Sequence, residues 1–377
     1  MKKLLSIIAS LSFITTTASA VVSCIPQSDE INFNFDKNIG TQFDKRNAKD
    51  TSDDKNKHMG FSNFFTLGDS LSDQGGLVTI AKDELNVNVK MSGEYKGGFS
   101  NGPTTAALIN NKLNFSTKEF GSSNLIHKAD IDHNNQKVWG KNYSIGGATA
   151  YEQGGLASLL MGNTGIYKQA QALIEQQIIH SDDLFLVEIG GNDMFAILDN
   201  VNDSKKREEI MQGALENIKN ALYTLLNNGA RNIIFLSPPD MTLIPKYNKK
   251  SQSDKDIIKF IGDDFNYEIT KMIINANKNY NNSILHFDLY GRFEEMLNEF
   301  KSLNSSKNIS DELCDSTMPN LSDVEFDNLE VKATVKSGNK GKEDDFFFID
   351  FVHPTKVGHE FAKDFIFKEI EKKWIKK

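Results

Sequence analysis

From residue 61 onward, short apolar runs rich in β-branched and aromatic residues recur between stretches of helical periodicity, at 61–67, 138–144, 184–189, 232–236 and 283–288. This alternation constrains the fold more than any other property of the chain. Parallel strands joined by helical crossovers are buried on both faces, so they read as continuous apolar stretches rather than alternating ones. The pattern predicts an α/β fold with a five-stranded, mostly parallel sheet. Helices are expected over 104–111, 166–179, 205–228, 254–280, 291–303 and 355–373. Asn228-Gly229 closes the third as a helix C-terminus should, and Pro354 stands just before the last, where proline is tolerated. Residues 304–345 are polar, rich in Ser, Asn and Lys, and carry Gly338 and Gly341. A long loop or small insertion is expected there.

The N-terminus reads as a targeting segment. Lys2 and Lys3 precede an apolar stretch from Leu4 to Ile14, too short to span a bilayer in the ordinary way, and small residues follow. Val21-Val22-Ser23-Cys24 resembles a bacterial lipobox, in which the cysteine is acylated and becomes the new N-terminus. Ala18-Ser19-Ala20 fits ordinary secretory cleavage instead. The lipoprotein reading is preferred: residues 1–23 as signal peptide, Cys24 as the lipidation site, 24–58 as a flexible polar tether, and 59–377 as the folded domain. An outward-facing, lipid-anchored protein follows, with secretion as the alternative. Acylation of Cys24 would leave Cys314, the only other cysteine, without an intramolecular partner. A formal charge of −8 and a sequence pI near 5.5, with lysines scattered rather than gathered in a stripe, argue against nucleic acid as a partner.

The residues that carry chemistry cluster where the strands end. Phe65-Thr66-Leu67-Gly68-Asp69-Ser70 places a serine after an apolar run and a glycine, where a tight turn can present a hydroxyl at the top of a sheet. Near the far end, Asp350-Phe351-Val352-His353 puts a carboxylate three residues before an imidazole. A serine hydroxyl is a poor nucleophile at neutral pH and needs a base, itself oriented by a third group. Ser70, His353 and Asp350 suit those roles, although a serine here can equally cap the next helix. Ile145-Gly146-Gly147-Ala148 and Ile189-Gly190-Gly191-Asn192-Asp193 end two further strands, supplying glycine amides and an asparagine amide that could face a developing oxyanion. Carboxyl ends of parallel strands are where open α/β sheets bind ligands.

A rival serine has to be weighed. Gly98-Phe99-Ser100-Asn101-Gly102 fits the G-x-S-x-G nucleophile elbow, and Asp350 and His353 follow in the matching order. The elbow requires a strand before it, and 91–97, with Gly93, Glu94 and Lys96, makes a poor buried strand. Ser100 is expected to cap the helix at 104 instead. His127 and His133 are expected on an exposed loop, His286 in the core, and His359 on the last helix facing either site or solvent.

Taken together, Gly68-Asp69-Ser70-Leu71, Gly147, Gly190-Gly191-Asn192-Asp193 and Asp350-Phe351-Val352-His353 resemble the successive motif blocks of the GDSL lipase/esterase family of the SGNH hydrolases. Phe99-Ser100-Asn101-Gly102-Pro103 and His353-Pro354-Thr355 suggest the branch that includes plant enzymes and haemolysin-like lecithinases. The resemblance covers roughly residue 61 to the C-terminus. It implies a flavodoxin-like, three-layer α/β/α sandwich. It implies Ser70 as nucleophile, His353 as base, Asp350 as its orienting acid, and the Ser70 amide, Gly147 and Asn192 as oxyanion hole. The expected activity is hydrolysis of carboxylic esters of small molecules or lipids through an acyl-enzyme, with no metal or organic cofactor, by a monomer. A carbohydrate O-acetyl esterase of the same fold, or a non-catalytic surface-binding lipoprotein, stands as the alternative.

Overall fold

The computed structural model describes residues 33–121, 129–152, 164–317 and 328–375. The signal segment, Cys24 and His127 lie outside the described residues. Along the chain the described strands are β1 (Phe64–Leu67), β2 (Asn88–Gly93), β3 (Ile131–His133), β4 (Gln136–Val138), β5 (Leu184–Glu188), β6 (Asn232–Leu236), β7 (Ile284–Phe287), β8 (Asn308–Glu312), β9 (Cys314–Thr317), β10 (Asn328–Val335) and β11 (Phe346–Phe348). β1, β5, β6 and β7, in that spatial order, form an all-parallel central sheet. Every residue of β1 and β5 is buried, which is why these strands show no alternation in sequence.

The sheet has four full strands where five were expected. The run 138–144 lies along the free edge of β1 but makes a single bridge, between Thr66 and Asn142. Thr66 N–H donates to Lys141 O, Tyr143 N–H to Thr66 O and Ile145 N–H to Gly68 O, at 2.7–3.1 Å. The ladder stops there because the next donor on β1, the Gly68 N–H, bonds Gln169 Oε1 at 2.8 Å instead of the edge segment. Counting this segment, the spatial order is 2-1-3-4-5, the flavodoxin-like order.

Helices cover both faces. Ile166–Gln176, Ser204–Asn227 and Gln252–Asn279 form one layer, and Thr105–Lys112, Leu289–Ser302 and Lys356–Lys373 the other, giving the three-layer sandwich. Two shorter helices, Gly76–Leu85 and Gly191–Asp199, start where the site loops end.

One expectation about organisation fails, and another, for 304–345, resolves to its second alternative, a small insertion. Residues 33–58 are not a tether but a clasp on the folded body. Phe33 is buried, and its carbonyl accepts from Asn275 Nδ2. Asn227 Nδ2 donates to Ile39 O and Asn228 Nδ2 to Gly40 O, while Lys49 bridges Gln177 and the His58 ring stacks on Phe115 at 4.0 Å. The segment is polar because polar side chains of the body satisfy its backbone, so no apolar period announces it. The described part of 304–345 is likewise no loop. β10 lies between β2, to which it is parallel, and antiparallel β9, while β8 pairs with β11. Leu329, Val331 and Ala333 are buried and Glu330, Lys332 and Thr334 exposed, the period-2 pattern of a half-buried strand.

Candidate active site

The turn after β1 is built around a carboxylate that the strand sequence does not announce. A Cβ on Gly68 would stand 2.3 Å from Glu188 Oε1 and 2.5 Å from Glu188 O, so only glycine lets the chain pass the end of β5. Asp69 N–H donates to that same Glu188 Oε1 at 2.9 Å. Asp73 then caps the Gly76–Leu85 helix. Its carboxylate accepts from the N–H groups of Gly75, Gly76, Leu77 and, across the cleft, Gly146. One buried side chain thereby ties the serine turn to the glycine loop of 145–148.

Ser70, at the head of this turn, meets residues from the other end of the chain. Its Oγ lies 2.8 Å from His353 Nε2, and His353 Nδ1 lies 2.7 Å from Asp350 Oδ2. Asp350 Oδ1 accepts the N–H groups of Val352 and His353 at 2.8 and 2.7 Å, closing the turn that spaces acid and base three residues apart. Burial pushes the Asp350 carboxyl up, but the facing His353, its N–H groups and the Tyr95 hydroxyl outweigh burial and hold it below its ordinary range.

Gly147, at φ +81°, and Asn192 border the same cavity as Ser70 and His353. Gly190, at φ +109°, turns the chain from β5 into the Gly191–Asp199 helix, where an added Cβ would meet Pro238 Cγ at 2.8 Å. Asn192 follows in the first turn. Its Nδ2 donates to Ala148 O at 2.9 Å and lies 3.4 Å from Asp69 Oδ2. Asp193 accepts from the N–H groups of Ala150 and Tyr151, fixing the loop beyond Gly147. Every residue singled out in sequence for the triad and the oxyanion hole is therefore brought to one place.

Sequence reasoning missed the carboxylates behind it. Burial raises Asp69 and Asp193 each to about 6, against the opposing N–H donors, and burial together with the Asp69 charge puts Glu188 well above its ordinary range. The letters were legible, but burial of four acids at strand ends was not. The rival serine falls away: Ser100 Oγ is buried and donates to Pro354 O at 3.0 Å, while Thr104 rather than Ser100 caps the next helix. His133 is not exposed either. It is buried, 3.1 Å from Glu119 Oε1, in a cluster with Lys141 Nζ, which lies 3.3 Å from Glu119 Oε2. His359 faces the site. Its Nδ1 accepts the Thr105 N–H at 3.1 Å, and burial, with His353 nearby, lowers it to about 3, so the ring is neutral. Burial lowers His286 too. Cys314 is buried and free.

The cavity itself measures about 110 Å³. Beyond Ser70 its walls are apolar, drawn from β6 and the Pro238-Pro239 turn and from the Leu289–Ser302 and Lys356–Lys373 helices.

The model of the GDSL-like lipase/acylhydrolase family matches residues 64–366, most of the chain. The chain belongs to this family. Among curated proteins, Lipase 1 of Photorhabdus luminescens is 27% identical over 206 residues, an alignment spanning 53% of this chain but only 26% of that protein. Among solved structures, a catalytic mutant of an acetylxylan esterase from Geobacillus stearothermophilus is 14% identical with a TM-score of 0.40, covering 85% of this chain and 99% of that one. An acetyl-xylooligosaccharide esterase mutant named from the same source scores 0.41 at the same identity and coverage. Scores this low carry no argument about what a GDSL-family chain binds.

Proposed function

We propose that this chain is a serine ester hydrolase acting on carboxylic esters with a short apolar acyl chain. The carrying observation is the unbroken line Ser70 Oγ to His353 Nε2 to Asp350 Oδ2, at 2.8 and 2.7 Å, on the border of an apolar cavity. His353 takes the Ser70 proton as Ser70 Oγ attacks the carbonyl carbon. The Ser70 and Gly147 amides and Asn192 Nδ2 receive the oxyanion, and His353 returns the proton to the departing alcohol. Water then repeats the attack on the acyl-enzyme. A volume of about 110 Å³, against the roughly 150 Å³ that holds the six carbons of benzene, gives room for about four methylene-sized groups. An acetyl group would fill only part of it, which favours longer apolar acyl esters over acetylated sugar.

A chain-length series of p-nitrophenyl esters tests this, with Ser70→Ala as control. Turnover is expected to peak between about four and six acyl carbons and to vanish in Ser70→Ala. Retained turnover in that variant sinks the nucleophile assignment, and a peak at acetate sinks the acyl-chain assignment. We also propose that the mature protein is exported and anchored through acylated Cys24, a reading supported by Val21-Val22-Ser23-Cys24. In a bacterial host, Cys24→Ser is expected to abolish labelling by radioactive palmitate. Labelling that persists in that variant removes the anchor.

A further inference from the structure

The segment 95–102, which carries the G-x-S-x-G spacing without its nucleophile, lies across the turn that holds the acid and the base. The Phe99 ring stacks on the His353 imidazole, with centroids 5.0 Å apart and 26° between planes. Ser100 Oγ donates to Pro354 O, and Asn101 Oδ1 accepts the Lys356 N–H at 2.7 Å. At its start, the Tyr95 hydroxyl donates to Asp350 Oδ2 at 2.5 Å, the same oxygen that pairs with His353 Nδ1.

An ionised carboxylate offers about four lone-pair sites. In Asp350, Oδ1 is taken by two backbone N–H groups and Oδ2 by the imidazole, so Tyr95 occupies the last. We propose that Tyr95 is a positioning residue that acts through Asp350 to set the basicity of His353. By drawing on the negative charge of Oδ2, the phenol weakens the carboxylate's hold on a protonated imidazole. His353 then stays neutral, and able to accept the Ser70 proton, to lower pH than a triad lacking this donor would allow. Tyr95 remains a donor throughout, because burial and the Asp350 charge raise its phenol well above its ordinary range. The other titratable groups facing this turn are Asp69 and His359 toward His353 and Cys314 toward Asp350, and none of them donates a hydrogen bond to Oδ2.

The inference rests on Ser70 and His353 as nucleophile and base, and its test separates the two. The pH profile of kcat/KM for p-nitrophenyl butyrate is measured on the full mature chain, its Tyr95→Phe variant and Ser70→Ala. In Tyr95→Phe the acid limb is expected to move up by about one pH unit, a roughly tenfold loss below the limb and less than about twofold above pH 9. An unmoved limb overturns the proposal, whether rates are unchanged or fall by one factor at every pH, since the latter marks a purely structural role. Activity surviving in Ser70→Ala is a different failure, that of the site itself. Should Tyr95→Phe not fold, 3-fluorotyrosine placed at position 95 makes a stronger donor. It is expected to move the limb to lower pH, and a limb that stays in place overturns the proposal equally.

Discussion

At the scale of single residues, the site is held by buried carboxylates rather than by the triad alone. Asp69 sits between the Glu188 side chain, which receives its N–H, and Asn192, whose amide it faces. Burial is the main reason that Asp69 lies near 6 and Glu188 higher still. The sign of the consequence is fixed: acids raised in the folded state bind more protons there than in the unfolded chain. Stability therefore falls as pH rises from about 4, the unfolded carboxylate range, through the folded values. Glu188→Gln keeps an acceptor for the Asp69 N–H and removes one ionisable group. It is expected to raise the melting temperature by about 2–4 °C at pH 8 and to leave it nearly unchanged at pH 4.5, the scale of about 1–2 kcal/mol in a domain this large. Thermal melts at the two pH values decide it, and an equal shift at both would mean that the charge of Glu188 costs the fold nothing.

At the scale of elements, what the sequence revealed depended on how each element is stabilised. β1, β5 and nearly all of β6 are buried on both faces, β7 only at its ends, and their apolar runs marked all four within about three residues. The long helices were legible from their apolar faces, and the helix predicted at 205–228 is observed as Ser204–Asn227, with Gly229 following at φ +112°. Gly76–Leu85 was missed. Glycines occupy its first positions, no side chain at its N-cap makes a bond, and the donor to its first turn is Asp73, three residues before the helix starts. β10 was missed for a different reason. Its alternation is plain in Leu329-Glu330-Val331-Lys332-Ala333, but the polar residues around it set the tone of the whole segment. The edge run at 138–144 was overread, because one glutamine side chain can take the Gly68 N–H from the ladder without altering the apolar count.

At the scale of the whole molecule, the two halves of the triad were visible as separate motifs, and the fold closes a gap of 283 residues between Ser70 and His353. That closure was legible from the motifs alone: Ser70 follows β1 of the central sheet, whereas Asp350 and His353 follow β11, which pairs with β8 outside it. The extent of the folded body was not legible. Residues 33–58 join it through carbonyls that accept from Asn227, Asn228 and Asn275, through Thr51, whose hydroxyl meets Gln177 and whose carbonyl receives Lys141 Nζ, and through the stacked rings of His58 and Phe115. Lys141 immediately precedes Asn142 and the loop that carries Gly147, so the clasp braces the cleft side of β1 as well as the helices behind it. Removing 33–58 unpairs these buried groups, each a cost of about 1–3 kcal/mol when left without water. A chain beginning at Met59 is expected to melt at least about 5 °C lower than one beginning at Phe33 and to lose esterase activity on mild heating first. Differential scanning calorimetry of the two purified chains is the check. Equal melting temperatures would return residues 33–58 to the role of a tether.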